Sequence, residues 1–136
     1  MITAVDTSVL LDVFTADPTF GPASRDTLGT CLAVGTVLAC PIVWAETCAF
    51  FPASDSVEAA LTVLGAAFNP LGQRSAELAG ETWRSYRQRG GSRQCVIADF
   101  LIGAHASLQA DRLLTRDRGF LRSYFPDLTV IEPTIR

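Results

Sequence analysis

Four acidic residues stand where chemistry could use them: Asp6 in ITAVDTSVLL, Glu46 in CPIVWAET, Asp99 in VIADFLIGAHA and Asp117 in LLTRDRGF. Three have apolar flanks: Val5, the pair Trp44-Ala45, and the run Phe100-Leu101-Ile102. An ionised carboxylate in such surroundings is costly unless it is paired or coordinated. Carboxylates brought together repel one another, and a divalent cation is the usual resolution. An all-oxygen donor set without His or Cys suits Mg²⁺ or Mn²⁺, ions that work on phosphoryl oxygens. Taken singly, each acid also suits a plainer duty. Asp6 and Asp99 fit helix N-caps, Asp117 a first-turn acid, and Glu46 the surface of an amphipathic helix. The hydroxyls of Thr7, Ser8 and Thr115 could hold a water or a phosphate oxygen, or equally cap a helix.

Convergence of the four acids depends on the elements that carry them. Residues 2–5 read as a strand ending at Asp6, and Thr7-Ser8-Val9-Leu10-Leu11 opens a helix. A turn at Asp17-Pro18 leads to a helix near 20–33, and 36–40 is a second strand stopped by Pro41, which suits a first helical turn. The stretch 54–68 reads as a helix capped by Ser54 or Ser56, with a brief strand at 68–72. An amphipathic helix over 74–89 stops at Gly90-Gly91. Further helices are expected at 97–110 and 117–124, with strands at 112–115 and 128–131. Strands alternating with helices predict a doubly wound α/β sandwich on a central, mostly parallel five-stranded sheet. Ligands bind at the carboxyl edge of such sheets. Asp6 follows the first strand, Glu46 lies six residues past Cys40, and Asp117 lies two past the fourth strand. Asp99 opens a helix antiparallel to that strand, so it reaches the same rim.

Composition narrows the classes. With 136 residues, 49% hydrophobic and 18% charged, one domain spanning 1–136 with a substantial core is expected, not a disordered chain. No apolar stretch reaches the roughly 18 residues of a membrane span. The N-terminus lacks the basic region of a signal peptide, so a cytoplasmic protein is expected. Cys31, Cys40, Cys48 and Cys95 show no CxxC spacing, and the single His105 cannot complete a usual zinc site; buried reduced thiols are the reading. All eleven basic residues are Arg. They are asymmetric: one Arg faces seven acids in 1–73, and ten face seven acids in 74–136. Arg presents a fork matched to phosphate, which makes Arg116, Arg118, Arg89 and Arg93 candidate phosphate contacts, although solvated helix faces also carry such runs. His105, six residues after Asp99, is turned about 600° from it on a helix and reads as structural. Asp12, six after Asp6, likewise does not share its direction. Trp44 and Trp83 suit the core or an interface better than base stacking.

Together, AVDTSVLLD, Glu46, IADFLIGAHA and LLTRDRGF resemble the PIN-domain ribonucleases, most closely the VapC-type toxins of bacterial toxin–antitoxin pairs. The resemblance runs through essentially the whole chain in the right order. It implies a PIN-like fold and metal-dependent endonucleolytic cleavage of RNA. It also implies a homodimer and inhibition by a small antitoxin inserted into the active-site groove. By the same resemblance Asp6, Glu46, Asp99 and Asp117 form the acidic site and Thr115 is the hydroxyl of its TRD element.

Other phosphoryl chemistries fit less well. An aspartyl-phosphate phosphatase wants a second acid two residues after the first, where Ser8 stands. A receiver domain and a Walker-type loop need a Lys, and the chain has none. A catalytically idle α/β module that binds nucleic acid or protein is the remaining alternative. It offers no physical reason for four acids at one rim.

Overall fold

The structure is a computed structural model, and it describes residues 1–91, 96–116 and 119–134. Five short strands, β1 (Ile2–Val5), β2 (Thr36–Ala39), β3 (Ala66–Phe68), β4 (Arg112–Leu114) and β5 (Val130–Ile131), form one sheet in the order β3-β2-β1-β4-β5. Every pairing is parallel. The expected doubly wound α/β sheet is therefore observed, wholly parallel.

Among the described residues seven helices connect and flank the strands: α1 (Thr7–Phe14), α2 (Gly21–Val34), α3 (Pro41–Cys48), α4 (Ser54–Leu64), α5 (Gln73–Gln88), α6 (Ile97–Gln109) and α7 (Gly119–Tyr124). The right-handed crossover rule assigns α1 to α4 to one face, because β1, β2 and β3 step in one direction. The return from β3 to β4 and on to β5 steps the other way, which puts α5 to α7 on the opposite face. β1 is central, and its Ala4 and Val5 are buried with Val9, Leu10, Val37, Leu113 and Leu114 in the core. On the other face Phe100 is fully buried among Tyr86, Tyr124 and Phe125, with ring centroids 5.4, 5.9 and 6.5 Å away. Burial of Phe100 pins the first turn of α6, and with it the adjacent Asp99.

Most boundaries fall within a residue or two of expectation, and the largest difference is at α4 and β3. α4 ends at Leu64, and β3 begins at Ala66, not at 68. Gly65 adopts φ +95°, a left-handed cap that stops the helix and starts the strand at once. Its apolar neighbours suit strand and helix alike, so the pattern alone continued the helix. Ala53, not Ser54 or Ser56, holds the N-cap position of α4. A second glycine sets the packing of α6 on α7: a Cβ at Gly103 would strike the Phe125 ring and crowd Leu121.

Candidate active site

Register decides what meets at the carboxyl edge. Val5 pairs with Leu114 across β1 and β4, so the next residues, Asp6 and Thr115, leave the sheet side by side. The Asp6 N–H still donates to the Leu114 carbonyl at 2.9 Å, and the Thr115 N–H to Ile131 at 3.1 Å. From that position the fully buried Thr115 Oγ1 donates to Asp6 Oδ2 at 2.6 Å. Ser8 Oγ donates to the same oxygen at 3.3 Å, and the Thr7 N–H caps Oδ1 at 2.8 Å. Asp6 is thus the N-cap of α1 and also the centre of a hydroxyl cluster; the two readings of this residue coincide.

The other acids come from separate elements. Pro41 starts α3 immediately after β2, and the helix carries the exposed Glu46 toward α1, where Glu46 Oε1 accepts from Thr7 Oγ1 at 2.8 Å. Asp99 sits in the first turn of α6, where its Oδ2 accepts from the Val96 N–H at 3.1 Å. Burial pushes the Asp6 carboxyl above the ordinary carboxylate range; the Thr115, Thr7 and Ser8 donors oppose this, and the charge of Asp99 adds to it. Burial likewise raises the Cys40 thiol, which also feels Asp6 and Glu46. Asp6, Glu46 and Asp99 therefore share one rim. Asp117, Arg118, Arg93 and Cys95 lie outside the described residues.

No three His, Cys, Asp or Glu side chains among the described residues converge into a ready-made metal cage. What the rim presents is a half-buried carboxylate with like-charged neighbours and, among the described residues, no arginine paired to it. Such a donor set, hard oxygens only and lacking its counter-charge, fits a divalent cation of the Mg²⁺ class.

Arg116, expected at a phosphate, is engaged elsewhere. Its Nε and one terminal nitrogen meet the two oxygens of Asp12 at 2.8 and 3.0 Å, and its guanidinium lies 4.1 Å from the Phe20 ring centroid. Ser24 Oγ completes the Asp12 shell at 2.7 Å. This quartet was not foreseen. The available signal was a single acid on the otherwise apolar helix TSVLLDVF; its partner lies 104 residues away. Arg89 is exposed at the end of α5, near Arg87, which lies 5.2 Å from the Trp83 ring. Trp44 packs edge-on against Phe68 at 5.2 Å. His105 is structural, as expected: it is buried, and its Nε2 meets Asn69 Oδ1 at 2.7 Å. Burial lowers its pKa.

The acids and the hydroxyls that orient them lie at the carboxyl edge of a parallel sheet, the place where α/β folds of this kind bind their ligands. The PIN domain family profile matches residues 3–126, and the chain belongs to that family. A sequence search of curated proteins finds no match. Among solved structures, VapBC2 from Rickettsia felis bound to a DNA fragment from its promoter is similar at TM-score 0.74 and 18% identity, over 97% of this chain and 98% of that one. VapBC-1 from nontypeable Haemophilus influenzae is similar at TM-score 0.71 and 18% identity, over 97% and 98%. Mycobacterium tuberculosis VapC20, a sarcin–ricin loop cleaving toxin, is similar at TM-score 0.61 and 15% identity, over 93% and 98%. At these identities the likeness is one of fold. Among the described residues no helix is long and apolar enough to cross a membrane.

Proposed function

We propose that this chain, one PIN-like nuclease domain over 1–136, is a VapC-type toxin: a divalent-cation-dependent endoribonuclease restrained by a small antitoxin. The observation that carries the reading is the Asp6 junction. A half-buried carboxylate, with no arginine paired to it among the described residues, is held by Thr115, Ser8 and the Thr7 N–H, with Asp99 and Glu46 at the same rim. Family membership and the toxin–antitoxin complexes sharing the fold support it. The alternative of an idle binding module leaves the cost of Asp6 unexplained.

Asp6, Glu46, Asp99 and Asp117 would hold the cation, Mg²⁺ or Mn²⁺. When bound, it supplies the activation of water and polarisation of phosphorus that phosphodiester hydrolysis requires. The chain's own residues do the holding. Two hydroxyls fix Asp6 Oδ2, one amide fixes Oδ1, and Thr7 Oγ1 steadies Glu46. Attack by water needs no 2′-hydroxyl, so preference for RNA comes from the groove, where unstacked single strands are the easier target. Arg89, with Arg93 and Arg118, is proposed to contact flanking phosphates. The active species is a cytoplasmic homodimer, and the antitoxin covers the groove.

The test is cleavage of total RNA by purified, antitoxin-free protein with Mg²⁺, Mn²⁺ or EDTA, beside Asp99→Asn. Discrete fragments that require metal and vanish in the variant support the proposal. Neither cleavage nor metal binding by calorimetry returns the chain to the binding-module reading.

A further inference from the structure

We propose that the Asp12–Arg116 ion pair is the positioning device of the active site. It clamps the residue that follows Thr115 onto α1 and thereby holds two hydroxyls on the Asp6 carboxylate. The inference rests on the ribonuclease reading and names residues that act on catalysis through others.

Three observations carry it. First, β4 ends at Leu114: Thr115 keeps one bond to the sheet, from its N–H to the Ile131 carbonyl, whereas Arg116 lies beyond the strand and is held by contacts to α1. Second, Arg116 is attached to α1 at two points. Its backbone N–H approaches Ser8 Oγ at 3.4 Å, and its guanidinium grips both oxygens of Asp12. Ser8 and Asp12 are four residues apart and share one helix face. Third, both consequences fall on one atom. Thr115 donates directly to Asp6 Oδ2, and Ser8, accepting from Arg116, donates to the same oxygen.

The clamp is built to be stiff. The Asp12 side chain is 4% exposed, and its Oδ2 also accepts from the buried Ser24, which ties in α2. Phe20 stacks on the guanidinium at 4.1 Å. A bidentate fork between planar groups fixes angle as well as distance, which a point charge cannot do. With both Asp12 oxygens engaged and the ring against its face, Arg116 orients the site instead of serving as a mobile phosphate ligand.

The experiment compares wild type, Asp12→Asn, Arg116→Lys and the double variant on an RNA oligonucleotide carrying a cleavage site mapped with wild type. Both kcat and KM are measured with Mn²⁺ well below each melting temperature. Misplacement of the Asp6 oxygen predicts kcat lowered by about 10- to 100-fold in each single variant, with KM little changed. The double variant falls no further than the worse single one, because the pair acts as a unit. Arg116→Lys retains the charge opposite Asp12, so it carries the test alone should Asp12→Asn fail to fold. Wild-type kcat in Asp12→Asn overturns the inference. So does a raised KM in Arg116→Lys with Asp12→Asn unaffected, which makes Arg116 an RNA ligand. If wild type cleaves and both singles match it, the inference alone falls; if wild type neither cleaves RNA nor binds Mn²⁺, the proposed function falls and takes the inference with it.

Discussion

Asp6→Asn is expected to make the protein more stable while abolishing cleavage. Burial raises the Asp6 carboxyl, so between pH 3.8 and its folded value the native state holds a proton that the unfolded chain has released. Stability therefore declines as pH rises through that window, and at neutral pH the ionised carboxylate is a net cost. Asparagine keeps the shape and the Thr7 N–H bond to Oδ1, and the Thr115 and Ser8 hydroxyls can turn to accept from its amide. What disappears is the desolvation of a charge and its repulsion by Asp99. Hydrogen bonds to a charged group are worth about 1.5–3 kcal/mol each and are partly lost, so the net gain is the modest one typical of relieving functional strain, about 1 kcal/mol. For a chain of this size that is a rise of about 3–5 °C in Tm.

Thermal melts in EDTA from pH 4 to pH 8 read this directly. The gap between Asp6→Asn and wild type should be absent at the acid end and widen toward neutrality. Divalent cation should then reverse the order. At tenfold excess over its Kd it stabilises wild type by about 1.4 kcal/mol and the variant by less. A Tm for Asp6→Asn below wild type in EDTA at neutral pH refutes the reasoning, since it would make Asp6 a structural cap whose charge the fold requires.

Other expectations follow from the same geometry. Glu46→Gln keeps the bond from Thr7 Oγ1, so RNA cleavage should fail while Tm in EDTA is unchanged; parallel melts and cleavage assays check this. His105 has a pKa lowered by burial, so the unfolded chain binds the extra proton and stability is lost as pH falls below about 6.5. Urea midpoints at pH 7.5 and pH 5.5 should show that drop, and His105→Gln should reduce it. Gly65→Ala forces φ +95° on an L-residue and brings its Cβ within 3.0 Å of Leu32 Cδ2, so denaturant unfolding should show a loss of about 1–2 kcal/mol.

Much of the fold was legible because short apolar runs and helices are closed by chain punctuation: Asp6 after Val5, Pro41 after Cys40, Gly90-Gly91 after the helix α5. The start of β3 was not, since Gly65 carries its signal in a dihedral angle and not in hydrophobicity. The rim was legible in outline for the same topological reason: in a parallel sheet, residues that follow strands share an edge whatever their separation in sequence. Side-chain pairings were not. Nothing in TSVLLDVF says that its acid meets Arg116, because that contact depends on the β1–β4 register and on where α2 brings Ser24 and Phe20. The direction of Glu46 depends on the phase of α3, which spacing from Cys40 does not fix; its bond to Thr7 turns it toward α1.

The contrast between Asp6 and Asp12 is the strongest physical ground for a cation at the rim. Both acids lie at one end or the other of the same short helix, and Asp12 is the more deeply enclosed. Folding supplies Asp12 with a guanidinium on both oxygens and a hydroxyl besides. The same arginine passes within a residue of Thr115, yet among the described residues Asp6 has only neutral donors and like charges nearby. A chain selected for stability alone had an apolar or amide side chain available at position 6. Keeping a carboxylate there, oriented by three donors, makes sense if its counter-charge arrives from solution with the substrate's phosphates.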